Sequence, residues 1–195
     1  MNPKDFIKTS TILGGATLLH SSSVYAQSLQ QRGMDKLTEK DGNFVLQPLP
    51  NAETLLEPCM DQEIVHLHYT FHQGDAVKDA SKELQMIKLA TDQNNAETID
   101  YRTKMLAVQL SSYGFHTVFR TNLTNKKRNP AGYLLKKIEK EFCSYDKLKL
   151  IISKTLKGID GNGWGILGFQ PYTQKLTVVQ CENHENLTCG VMPPL

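Results

Sequence analysis

The sequence lacks a strong charge of either sign. Its formal charge is +2 over 195 residues, too little to argue for a nucleic-acid partner. No Lys/Arg stripe runs along it. The one short basic run, NKKRNP at 125–130, falls between two helical patterns and reads as a solvated loop. A Walker-type phosphate loop is missing, as is a G-x-G-x-x-G after a strand, and this argues against the nucleotide chemistry those motifs serve. C-x-x-C spacing is missing too: Cys59, Cys143, Cys181 and Cys189 match no metal motif. The apolar stretch TILGGATLL, at 11–19, is far shorter than the roughly twenty residues a bilayer-spanning helix needs. What remains, 39% hydrophobic and 22% charged residues, is a globular composition. The length suits one domain or two small lobes sharing a core.

The N-terminus reads as an export signal. Lys4 and Lys8 precede the apolar core, and Val24 and Ala26 stand where a signal peptidase reads small residues. Cleavage is expected after Ala26, giving an exported protein, periplasmic or secreted, with no membrane association once the signal is removed. The segment KDFIK resembles a twin-arginine signal, R-R-x-F-L-K, with Pro3 and Lys4 in the arginine positions. Export permits disulfides, and Cys181–Cys189 is the cysteine pair closest in sequence. Residues 27–42 are polar and unpatterned and are expected to be a disordered lead.

The patterned part begins near residue 43. Prolines 48, 50 and 58 keep 43–58 extended up to a short helical turn. From Asp61, a plausible N-cap, a helical stripe runs through Ile64, Leu67/His68 and Phe71/His72, and the helix is read as continuing through DAVKDASKELQMIKLA. The stretch VHLHYTFHQ, at 65–73, holds three histidines. On a helix His68 and His72 share a face and His66 does not. A second long helix is expected from about 96 to 120, with Met105, Gln109, Ser112/Tyr113, His116 and Phe119 facing the core. Shorter helices follow at 131–142, burying Leu134, Leu135 and Ile138, and at 144–159. The latter has Ser144 as N-cap and Leu148, Ile151/Ile152 and Leu156 inside. The period then changes to that of a hairpin, with strands within 160–170 and 174–183 joined by PYT. The fold class is α+β. A helical-hairpin domain, 43–124, precedes an α/β domain, 125–195, with a small antiparallel sheet of two strands.

Taken in order, these segments resemble the iron/manganese superoxide dismutases. LEPCMDQEIVHLHYTFH (56–72) is similar to the family's L-x-P-x-I-x-x-x-T-x-x-x-H-x-x-x-H. FHTVFRTNL (115–123) is similar to N-H-x-x-x-W-x-x-L. FCSYDKLKLIISKTLKGIDGNGW (142–164) resembles F-G-S-x-x-x-F-K…F-G-S-G-W, and QKLTVVQCENHE (174–185) resembles K-L-x-I-V-x-T-x-N. The interval from His68 to His116 equals that from His116 to Trp164, close to the family's. The resemblance implies a redox-cycling iron or manganese ion, superoxide as substrate and a homodimer. It implies His68 and His116 as metal ligands, His72 as a histidine just outside them, and Trp164 as an aromatic wall of the pocket. Asn183 and His184 fall on the turn whose residue hydrogen-bonds metal-bound water. His66 matches no functional position.

Several positions depart from the pattern. The remaining two ligands implied by the resemblance belong to a D-x-W-E-H-A motif, and no D-x-x-x-H lies between Asn183 and Leu195. The sequence is therefore expected to be C-terminally truncated, with two of the four ligands. Ala76 stands where the family has a tyrosine, and Arg120 and Ile166 replace aromatics around the pocket. Three functions stay open at this point. One is a dismutase, another a non-catalytic remnant of the fold used for binding or structure. The third is a zinc site recruiting His68, His116 and either His184 or Glu182.

Overall fold

The computed structural model describes residues 38–39, 41–170 and 172–184. The expected export signal and Cys189 lie outside them. The chain divides into two units, Met1–Gln47 and Pro48–Leu195. In the first, Thr38 forms an antiparallel bridge with Phe44, turning at Gly42, whose φ of 87° favours glycine. Everything that follows concerns the second unit.

After a 3-10 turn, Glu53–Leu56, the first long helix forms in three parts. Helix α1, Gln62–Leu67, is capped by Asp61, whose carboxylate accepts from the Glu63 amide at 2.7 Å. A π-helical segment, His68–Gln73, continues it. Helix α2, Gly74–Asp92, completes it. Helix α3, Ile99–Asn122, folds back along this length. The pairing is antiparallel: Gln73 Nε2 donates to Thr117 Oγ1, and farther along α2 Glu83 pairs with Arg102, nearer the start of α3.

The inward face differs from the expected stripe. Ile64, Leu67 and Phe71 are about half exposed, whereas Gln73, Ala76, Val77, Ala80 and Glu83 are buried. Hydrophobic periodicity selects the large apolar residues, but a close helix–helix seam selects small ones. Two alanines and a hydrogen-bonded glutamine let α3 approach where leucines would hold it off. The second helix meets its expectation better: Ser112, Tyr113 and His116 are buried, although it starts at Ile99 rather than near 96.

Helix α4, Gly132–Phe142, and helix α5, Tyr145–Lys157, follow. Ser144 caps α5, its hydroxyl accepting from the Lys147 amide at 3.1 Å. Strands β1, Gly163–Gln170, and β2, Lys175–Glu182, form an antiparallel hairpin with Trp164 opposite Cys181 and Gln170 opposite Lys175. The core of this lobe is Ile138, Leu148 and Leu176, with Phe142, Ile152, Leu167, Phe169 and Val178 packed around them. Leu134, Ile151 and Leu156, expected inside, are exposed. The hairpin covers only one side of each helix, so the apolar stripe is wider than the surface that meets it.

Strand alternation sorts the two sheet faces. Leu167 and Phe169 pack on the α4–α5 core, while Trp164 lies on the other face against Phe115 and Phe119 of α3. Glycines flank Trp164 of necessity. A Cβ on Gly163 would run into the Cys181 carbonyl oxygen, and one on Gly165 would come within 2.9 Å of Leu156. The architecture is thus α+β: a helical hairpin followed by a lobe with a two-stranded sheet. No helix among the described residues is long and apolar enough to cross a membrane.

Candidate metal centre

The antiparallel hairpin sets His68, at the start of the π segment, against His116 on α3. Their Nε2 atoms are 3.1 Å apart. The orientation of His116 is fixed from behind. Its Nδ1 lies 2.7 Å from the Ser112 carbonyl oxygen, which can only accept, so Nδ1 carries the proton and Nε2 turns a lone pair toward His68. Helical geometry supplies this contact, since Ser112 precedes His116 by one turn. Histidines that bind metals are commonly held in this way.

Burial pushes the His116 imidazole down to about 4. The Ser112 carbonyl opposes that shift, and His68, His184 and His72 add to it. His68 is lowered by burial, then by His72 and Arg120. Both rings therefore stand as neutral imidazoles at neutral pH, the form that binds a metal.

The β hairpin delivers the other aromatic groups. Asn183, in the left-handed region with φ 52°, donates its amide to the Asn162 carbonyl at 2.8 Å. This backbone turn directs His184 back toward the helices. Trp164 Nε1 donates to His184 Nδ1 at 3.1 Å, which leaves the proton of a neutral His184 on Nε2. Burial lowers His184, with help from His72 and His68. The His184 ring centroid is 5.3 Å from that of His116 and 5.7 Å from that of His72. Trp164 meets His116 edge-on at 5.0 Å and stacks on Phe115 at 5.3 Å.

The structure thus gathers His68, His72, His116, Trp164 and His184, and Asn183 takes part through its backbone. His66 points elsewhere, with Nδ1 2.9 Å from Glu53 Oε1. Phe115, Phe119 and the Ser112 carbonyl complete the surroundings. Of these, the Ser112 contact had a sequence signal, a residue four before a histidine on one helix. The arginine at 120 is buried with its guanidinium carbon 4.8 Å from the centre of the Tyr69 ring, a pairing with no sequence signal because it joins two helices.

Imidazole nitrogens bound side by side to one divalent ion, each about 2.1 Å from it, stand roughly 3.0–3.4 Å apart. The His68–His116 pair fits that spacing. Among the described residues, no group of three or more His, Cys, Asp or Glu is arranged to hold an ion. This corrects the zinc expectation. The His184 ring is near, but its Nδ1 is taken by Trp164, and Glu182 is exposed on β2.

Comparison with known proteins gives the family. The family model of the iron/manganese superoxide dismutase alpha-hairpin domain matches residues 43–124, and that of the C-terminal domain matches 130–195. The chain belongs to the iron/manganese superoxide dismutase family. A manganese/iron superoxide dismutase of Aeropyrum pernix is 34% identical over 158 residues, covering 78% of this chain and 73% of that protein. An iron superoxide dismutase of Pyrobaculum aerophilum is 32% identical over 146 residues, covering 72% and 68%. A manganese superoxide dismutase of Nocardia asteroides is 29% identical over 154 residues, covering 78% and 74%. The chain is superoxide dismutase-like, and the cofactor that goes with this family is iron or manganese.

Proposed function

We propose that His68 and His116 hold an iron or manganese ion and that His72, Trp164 and His184 shape its surroundings. The observation that carries this is the approach of two neutral imidazole nitrogens to 3.1 Å, His68 partly buried and His116 buried and locked in its tautomer by the Ser112 carbonyl. Bound there, the metal supplies electron exchange between its M3+ and M2+ states, so that one superoxide leaves as O2 and the next as H2O2.

The chain's own residues do the rest. Ser112 keeps the His116 lone pair aimed inward. Trp164 fixes His184 so that its Nε2–H can donate, which suits the turn residue for bonding solvent or handing a proton to the reduced product. Phe115 and Trp164 form a stacked wall that limits water on that side. Two nitrogens are half of the donor set implied by the family resemblance, and a hard trivalent ion favours an oxygen donor as well.

The test is metal analysis and superoxide consumption after refolding with Fe(II) or Mn(II). About one ion per chain with activity supports the reading, and His68→Ala should abolish both. Unchanged metal content in His68→Ala defeats it. Export is proposed from Lys4, Lys8 and the apolar core that follows, with cleavage after Ala26. N-terminal sequencing of the mature protein checks that. A homodimer is also proposed, with the exposed row Ile64, Leu67 and Phe71 as an available surface, and sedimentation checks it.

A further inference from the structure

The π-helical segment His68–Gln73 changes which residues face α3. It closes with the Gly74 amide donating to the Tyr69 carbonyl, five residues back. In an α-helix, at about 100° per residue, Gln73 would lie roughly 140° round from His68. Wider π winding brings a residue five positions on back toward the same side. Accordingly, His68 Nε2 lies 3.1 Å from His116 of α3, and Gln73, 0% exposed, also reaches α3 with its side chain. Gln73 then starts the inward stripe of α2, which continues through Ala76, Val77 and Ala80. It is the joint between the turn that carries His68 and the α2–α3 seam.

One hydrogen bond fixes that joint. Gln73 Nε2 donates to Thr117 Oγ1 at 3.1 Å, between two buried side chains. Thr117 follows His116, and its one hydroxyl proton goes to the Tyr113 carbonyl at 2.8 Å. A hydroxyl lone pair therefore faces Gln73, which requires the NH2 end of the amide to point there. The other end, Oε1, is buried with no hydrogen-bond partner among the described residues. A buried acceptor left unpaired costs stability. An apolar side chain of the same length would avoid that cost, so packing alone does not account for a glutamine at this position.

We propose that Gln73 is a positioning residue for the metal centre: bonded to Thr117, it holds the π-helical turn in place and so fixes the separation of the His68 and His116 rings. The link to a metal rests on the reading of this pair as ligands; the link to ring separation does not. The bond joins the residue after His72 to the residue after His116, so each helix is pinned one residue from a histidine of the cluster. Without it the π turn relaxes toward α-helical winding, which turns His68 relative to α3. Gln73 itself touches neither metal nor substrate.

The experiment compares the full chain with Gln73→Met, which keeps the length and removes both polar atoms, and with Thr117→Ser, which keeps the hydroxyl. In the metal-free chains NMR reads the nuclear Overhauser contact between the His68 and His116 ring protons, and the melting temperature is recorded. Cobalt(II), a divalent probe for the two imidazoles, is then titrated, and its affinity and visible absorption bands are measured. The parent and Thr117→Ser should show the ring contact and bind cobalt alike. In Gln73→Met the contact should fall at least twofold and cobalt affinity at least tenfold, with shifted bands, while the melting temperature stays level or rises. A glutamine with a merely structural role predicts a lower melting temperature instead. The proposal is overturned if the parent lacks the ring contact, if Gln73→Met keeps that contact or the parent's cobalt affinity, or if Gln73→Met melts lower or fails to fold. If the parent binds no cobalt, the metal reading fails, and the ring contact in the metal-free chains still decides the role of Gln73.

Discussion

Along the seam between α2 and α3 the buried side chains include Gln73, Ala76, Ala80, Glu83, Ser112, His116 and Thr117, whereas the lobe built from α4, α5 and the β hairpin closes over Ile138, Leu148 and Leu176. The seam mixes small and apolar residues with hydrogen-bonded polar ones. The lobe closes over an apolar core. A seam of this kind gives less hydrophobic stabilisation per residue, but it aims side chains more strictly because each polar group must find its partner. The histidine pair sits on the seam, and the lobe contributes Trp164 and His184 from the edge of its sheet.

Breaking the lobe should be the largest effect. Leu148 is 2% exposed, so Leu148→Ala is expected to cost about 3 kcal/mol through lost burial and an unfilled cavity, read as a lower denaturant midpoint. A loss under about 1 kcal/mol would mean that the lobe collapses to fill the gap.

Acid should break the seam by another route. In the unfolded chain a histidine titrates near 6.5, while folded His116 is pushed down to about 4. Between these values the unfolded chain binds more protons, so stability rises with pH across the window. It is fully present above about 6.5 and lost as pH falls toward 4, amounting to about 3 kcal/mol. His68 and His184 shift in the same direction. Hydrogen exchange on the metal-free chain should show α2 and α3 opening before α4 and α5 as pH drops from 7 to 5. Equal loss of protection in both regions would contradict this.

The ion pair tests the seam's polar character. Arg102 Nη1 contacts both Glu83 oxygens at 3.2 Å, with the side chains 21% and 9% exposed. Glu83→Ala should cost about 2 kcal/mol by stranding the arginine, and Glu83→Leu combined with Arg102→Leu should recover most of it. If the double variant is no better than the single, the pair contributes more than its own desolvation.

The smallest effect lies between α4 and α5. Cys143 has φ 68°, a region where a side chain is strained and glycine is not, and the motif this stretch resembles has glycine there. Cys143→Gly should raise stability by about 0.5–1 kcal/mol, seen as a higher melting temperature.

Element order was legible in the sequence because caps and periods are local. Asp61 and Ser144 do cap α1 and α5, and the hairpin falls where the period changes. His68 and His116 were legible as a pair through motif order, and His66 could be set aside by helical geometry. The seam was not legible in the same way. A period read from large apolar residues pointed to Ile64, Leu67 and Phe71, and these face outward, because close packing between two helices favours alanine and bonded glutamine over leucine.

The sequence alone therefore determined the α+β order of elements, the family and the two histidines that meet, since each depends on local pattern or on motifs in order along the chain. Only the tertiary structure decided which helix face turned inward, that Trp164 would hold His184 by one nitrogen, and that Gln73 would bond Thr117. Those relations join residues far apart in sequence. They depend on how closely backbones approach and on which polar atoms must be satisfied once water is gone, and neither is written in a local period.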